Sequence, residues 1–146
     1  MKKVIYTAFV FILCLLFSCN IEPEPIDYGT DACSFCKMTI VDQQHAAQYV
    51  TKKGKQYKFD AIECMVNDIG EKGNDHLGIL LIADYPQPGN MIPAQKATYL
   101  VSKEIKSPMG ANLSGFASKE QASSTQKEKG GKLYSWKELL TKFDVE

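Results

Sequence analysis

Apolar positions fall along this chain in three distinct rhythms. From Val4 to Phe17 the run is continuous but for Thr7, and it follows Met1-Lys2-Lys3. A spanning helix needs about 20 apolar residues, so a run this short behind a basic start predicts a cleaved signal peptide over residues 1–18. Further on, short alternating runs predict strands. Residues 48–51, a Lys52-Lys53-Gly54-Lys55 turn and residues 56–59 predict a β-hairpin preceded by a first strand region over 39–49. The third rhythm is helical: Ile62, Met65, Val66 and Ile69 recur at i, i+3, i+4 and i+7, with Asp60 as expected cap, Glu63 at the reciprocal capping-box position, and Gly70 and Gly73 as stops. Leu and Ile then predict a buried strand over 77–85.

Residues 84–93 hold three prolines and mark a boundary. Beyond it, strands are expected at 97–102, 114–117 and 132–135. A helix over 119–129 is capped by Ser118 and stopped by Gly130-Gly131, and a terminal helix covers 136–143. Phe59, Glu63, Glu71, Lys72 and Gly73 recur in the same order and at the same spacing as Phe116, Glu120, Glu128, Lys129 and Gly130. The expected fold is therefore α+β, with two similar ββαβ-type subdomains packed together. The boundaries are 1–18 for the signal peptide, 19–31 for a lipidated N-terminus and flexible tether, 32–85 for the first subdomain, 86–94 for a Pro-rich linker and 95–146 for the second subdomain. The tether reading rests on Asn20 to Asp31, which is acidic, contains prolines and lacks periodicity.

Leu16-Phe17-Ser18-Cys19 looks like a lipobox, which makes Cys19 the expected lipidation site; ordinary cleavage near Ser18 would instead leave it a free thiol. Two or three acyl chains hold a protein firmly, at about 0.8 kcal/mol per buried CH2. The expected location is a lipid anchor in the cell membrane or outer membrane, facing the periplasm or exterior. Cleavage removes Lys2 and Lys3 and leaves 15 basic residues against 17 acidic ones, a net charge of −2. No basic stripe accompanies this balance, so nucleic acid is not an expected partner.

Cleavage and lipidation leave Cys33, Cys36 and Cys64 as thiols, and three cannot all pair. In an exported protein an odd count points to a metal site, a reactive thiol or an intermolecular bond. Cys33-Ser34-Phe35-Cys36-Lys37-Met38 puts two thiols and a thioether in one short segment, a soft set that selects copper(I) over zinc. Cys64-Met65 is a second Cys/Met pair, although Met65 lies on the apolar stripe of its helix and reads as core; Cys64, off the stripe, reads equally as ligand or buried thiol. Met109, between Pro108 and Gly110, reads either as a ligand presented from a loop or as a plug in the core. Other readings of the cysteines stand beside copper: a thiol oxidoreductase using Cys33-x-x-Cys36, or a structural zinc site of Cys33, Cys36, Cys64 and either His45 or His76. Of the histidines, His45 falls in an expected strand and His76 in an expected solvated loop.

At the lipobox, the acidic tether, the CxxCxM motif, Pro108-Met109-Gly110, Phe116-Ala117-Ser118 and Gly130-Gly131, the chain resembles the NosL family, lipoprotein accessory proteins of nitrous oxide reductase. The family pattern has glycine before the methionine of the first motif, where this chain has Lys37. The resemblance implies two ββαβ-type subdomains and a non-enzymatic copper(I) chaperone. Its implied partners are the copper-accepting metalloenzyme or the membrane transporter complex that assembles it. It further implies Cys36, Met38 and Met109 as metal ligands, with Cys33, Cys64 and His45 as additional candidates.

Overall fold

The structure, a computed structural model, describes residues 21–145; the expected signal peptide and Cys19 lie outside the described residues. Four strands, β1 (Ala47–Thr51), β2 (Gln56–Phe59), β3 (Leu77–Asp84) and β4 (Gln87–Pro93), form an antiparallel sheet of order β2-β1-β3-β4. The helix α1 (Ile62–Lys72) joins β2 to β3. A second antiparallel sheet, of order β6-β5-β7, contains β5 (Thr98–Val101), β6 (Leu113–Phe116) and β7 (Lys132–Tyr134). Here α2 (Lys119–Lys129) joins β6 to β7, and α3 (Trp136–Lys142) closes the chain. Strand–strand–helix–strand thus occurs twice, each time with the first strand between the other two, as the sequence repeat predicts.

The two units share one core. Ile62, Met65 and Ile69 of α1 pack in a single buried cluster with Tyr49, Ile82, Tyr99, Leu113 and Leu139, drawn from both halves. Full burial stabilises each such side chain by about 1.5–3 kcal/mol. β3 and β6 meet closely: a Cβ on Gly115 would lie 2.1 Å from Ile82 Cδ1, so any larger residue would push that side-chain tip aside. Tyr85 N–H donates to Gly115 O at 2.8 Å, and Ala117 N–H to Asp84 Oδ1 at 3.0 Å, fastening the seam.

Four local expectations are corrected. Most of 86–94, expected as a linker, is the edge strand β4; its prolines fit there because an edge strand has an unpaired side and a register shift separates Ala83 from Asp84. The described part of the tether is not free. Gln56 Nε2 donates to Glu22 O at 2.9 Å, Lys58 Nζ to Pro25 O at 2.8 Å and to Asp31 Oδ2 at 2.7 Å, so residues 22–31 form a strap along β2. Gly70 lies inside α1, which stops instead at Gly73 with φ 79°. The strand expected over 39–49 begins only at Ala47, which leaves His45 ahead of it.

Candidate metal centre

The Cys33–Met38 segment folds back on itself. Cys33 N–H donates to Met38 O at 2.8 Å and Lys37 N–H to Cys33 O at 3.1 Å. Lys37 adopts a positive φ of 69°. That conformation costs an L-residue roughly 1–2 kcal/mol and glycine almost nothing. Its ammonium turns back to Ser34 O at 2.6 Å. Two bonds, Ser34 N to Lys58 O at 2.7 Å and Lys58 N to Ser34 Oγ at 3.2 Å, dock the turn onto β2. β2 leads directly to Asp60 and the first turn of α1, which carries Cys64.

This arrangement gathers Cys33, Cys36, Asp60 and Cys64, whose ligating atoms all lie within 4.8 Å of one another. All three thiols are free. Cys33 and Cys64 are sealed at 1% exposure, whereas Cys36 is half-buried. Cys36 Sγ donates to Asp60 Oδ1 at 3.4 Å; Asp60 Oδ2 is buried without a hydrogen-bond partner. The hydrogen bond from Cys64 holds the Cys33 thiol down to about 6. That same contact, helped by burial and by Asp60, pushes the Cys64 thiol far up, and burial also raises Cys36. The three thiols and Asp60 thus lie close enough together to compete for the same protons or to share one ion.

The capping box expected at Asp60 and Glu63 does not form. The N-cap is Ala61, without a side-chain cap, because both carboxylates are used elsewhere. Glu63, itself buried, accepts a short hydrogen bond from Ser107 Oγ and one at 3.3 Å from Ala111 N–H. Asn112 N–H donates to Ser107 Oγ at 2.9 Å, and Gly110 N–H to Ser107 O at 3.0 Å, with Gly110 at φ 80°. One turn of helix and the residues leading into it thus hold the cysteine cluster through Asp60 and Cys64 and the 107–112 loop through Glu63.

Met109 protrudes from that loop at 44% exposure, and Met38 from the cysteine turn at 53%. With Val41 they are the only exposed large apolar side chains among the described residues. The core-plug reading of Met109 therefore fails, while Met65, fully buried, is core as its stripe predicts.

His45 does not join the cysteines. It is buried, with Nδ1 2.7 Å from Asp42 Oδ2 and Nε2 3.1 Å from Ser114 Oγ on β6, where it braces the two halves. His76 sits edge-on to Tyr49, with ring centroids 5.7 Å apart, and is half-buried instead of solvated. Among the described residues no histidine completes the three cysteines; the fourth donor is Asp60. Asp60, Glu63 and Ser107 were not legible as site residues, since their only sequence signal was capping or turn propensity. A redox role for the CxxC pair also fits poorly. Attack requires an accessible thiolate, and here Cys33 is sealed at 1% exposure while the half-buried Cys36 is engaged with the Asp60 carboxylate.

The family profile described as NosL matches residues 26–143. A copper-binding lipoprotein NosL from Stutzerimonas stutzeri is 29% identical over 126 residues, an alignment spanning 80% of this chain and 66% of that relative's length. The crystal structure of the copper chaperone NosL from Shewanella denitrificans superposes with a TM-score of 0.72 at 22% identity, over 82% of this chain and 96% of that one.

Proposed function

The chain belongs to the NosL family, and from that premise we propose that it is a lipid-anchored, extracytoplasmic copper(I) carrier, tethered through Cys19, that supplies copper for assembly of nitrous oxide reductase. Its ligands in this reading are the Cys36 sulfur and the thioethers of Met38 and Met109. The observation that carries it is that two methionines stand exposed, each on a loop tied to the segment from Asp60 to Cys64. Met65 is buried as core, whereas Met38 and Met109 stand exposed on loops, where their thioethers are free to meet a soft ion. Cys36, the most accessible of the three thiols, completes the set, and binding would displace its proton.

Thioethers do not protonate, so such a site keeps part of its affinity where thiolate binding weakens. A few ligands on exposed turns also suit a carrier, which must release its ion by ligand exchange. Cys33, Cys64 and Asp60 are buried beside Cys36, and Asp60 accepts its hydrogen bond. The four-donor cluster favours one second reading, zinc held by Cys33, Cys36, Cys64 and Asp60, because a carboxylate suits zinc better than copper(I).

Anaerobic titration with copper(I) against a chelator, run in parallel with zinc(II), separates the two. The carrier reading expects a clear copper(I) preference that Met38→Leu and Met109→Leu weaken. Tight zinc binding that neither substitution alters would replace it.

A further inference from the structure

The strap along β2 fixes where the chain leaves the domain. Glu22 O and Glu24 N–H are both bonded to Gln56, at the first residue of β2, beside the β1–β2 turn. The strap then runs past Lys58 to Cys33, at the other end of the strand. From Cys19 to Glu22 the chain reaches at most about 11 Å.

The β1–β2 turn and the loop after α1 form one end of the molecule. Lys52 N–H donates to His76 O at 2.9 Å and Lys52 Nζ to Asp75 O at 2.7 Å. Lys55 and Lys72 lie over the Tyr57 ring, 4.9 and 4.5 Å from its centroid. The helix α1 runs from the cysteine cluster to this end. At the ordinary helical rise the eight steps from Cys64 to Lys72 put about 12 Å between them.

We infer that this end, with Lys52, Lys53, Lys55 and Tyr57, rests on the phospholipid surface, and that the Cys36, Met38 and Met109 face is held away from the bilayer. The inference depends on the reading of Cys19 as the lipid anchor. The exit point of the strap carries the argument. Glu22, Glu24, Glu71 and Asp75 share this end with the lysines, so charge alone would not select a lipid surface. Long lysine side chains nevertheless reach headgroups, and an aromatic ring beneath them suits the interface. The consequence is functional: the methionine face is presented to a soluble or protruding partner, and the bilayer does not cover it.

Lysine acylation by a membrane-impermeant reagent, mapped by mass spectrometry, tests this on the full-length lipidated protein. The samples are protein in detergent and protein in vesicles of phosphatidylethanolamine and phosphatidylglycerol. Burial in the headgroup layer should cut acylation of Lys53 and Lys55 in vesicles at least about threefold, while Lys37 in the cysteine turn and Lys106 beside the Met109 loop stay unchanged. Uniform reactivity, or protection of Lys37 and Lys106 instead, overturns the orientation. Failure of the protein to sediment with the vesicles overturns the anchor reading itself, and a Cys19→Ala protein gives the unanchored reference.

Discussion

α1 and α2 hold equivalent places in the two ββαβ units, yet α1 buries most of its residues and α2 buries only Ala122. Their first turns diverge further. In α2, Ser118 accepts from Gln121 N–H, and Glu120 accepts from Ser118 Oγ in an exposed cap. In α1, the equivalent Glu63 reaches across to Ser107 and Ala111, Asp60 turns to Cys36, and no side chain caps the helix. The same repeat unit carries an ordinary helix cap in one copy, and in the other its carboxylates hold the cysteine turn and the 107–112 loop. The second copy contributes one loop, and through it Met109.

The largest expected effect comes from removing the carboxylate that joins the copies. Glu63→Ala strands the Ser107 hydroxyl and Ala111 N–H, and should cost about 3 kcal/mol in denaturant unfolding. Glu120→Ala should stay within about 0.5 kcal/mol. Equal losses would mean that the two positions still do the same job.

Next is the asymmetry among thiols. Cys36→Ser should weaken copper(I) binding at least about a hundredfold, equivalent to roughly 2.7 kcal/mol. Cys64→Ser, in the sealed part of the cluster, should act more on stability and shift affinity less than about tenfold. Competition titrations giving equal losses would put Cys64 among the direct ligands.

Methionines provide a third contrast. Met109→Leu keeps the volume of an exposed side chain, so folding should be unaffected while copper(I) affinity falls at least about tenfold, roughly 1.4 kcal/mol. Met65→Leu, in the core, should change stability by less than about 1.5 kcal/mol and leave affinity as it was. Both quantities can be read on the same purified proteins, and unchanged affinity in Met109→Leu removes the second unit from the site.

Two smaller effects probe the turns. Ser118→Ala should cost about 1 kcal/mol in thermal or denaturant unfolding, the ordinary worth of an N-cap, with no change in copper binding. Lys37 holds a left-handed backbone conformation. Its replacement, Lys37→Gly, should therefore stabilise the protein by up to about 1 kcal/mol. A destabilised Lys37→Gly would show that the ammonium contact to Ser34 O outweighs the backbone strain.

The repeat, the apolar stripe of α1 and the compact CxxCxM motif were legible in the chain because each depends on near neighbours or on one regular spacing. Ser118 as a cap was legible for the same reason. Asp60 and Glu63 were misread by that local logic: a carboxylate just before a helix, followed three positions later by another, is a capping signature unless something distant competes for it. Cys36 and Ser107 are those competitors, both far away in the chain. His45 was similarly open until the fold set Asp42 and Ser114 against its two nitrogens.

Local pattern by itself therefore determined most of the strands, the helices and the repeat, and it marked Cys33, Cys36 and Met38 as a compact group of soft donors, since periodicity and donor softness are properties of residues and spacings. The tertiary structure alone decided that Cys64 joins Cys33, that Asp60 takes the place expected of a histidine, that the strap lies along β2, and that Met109 stands exposed on the loop Glu63 holds. Each of these depends on which distant group fills a hydrogen-bond demand, and burial settles that only when both sheets have closed around one core.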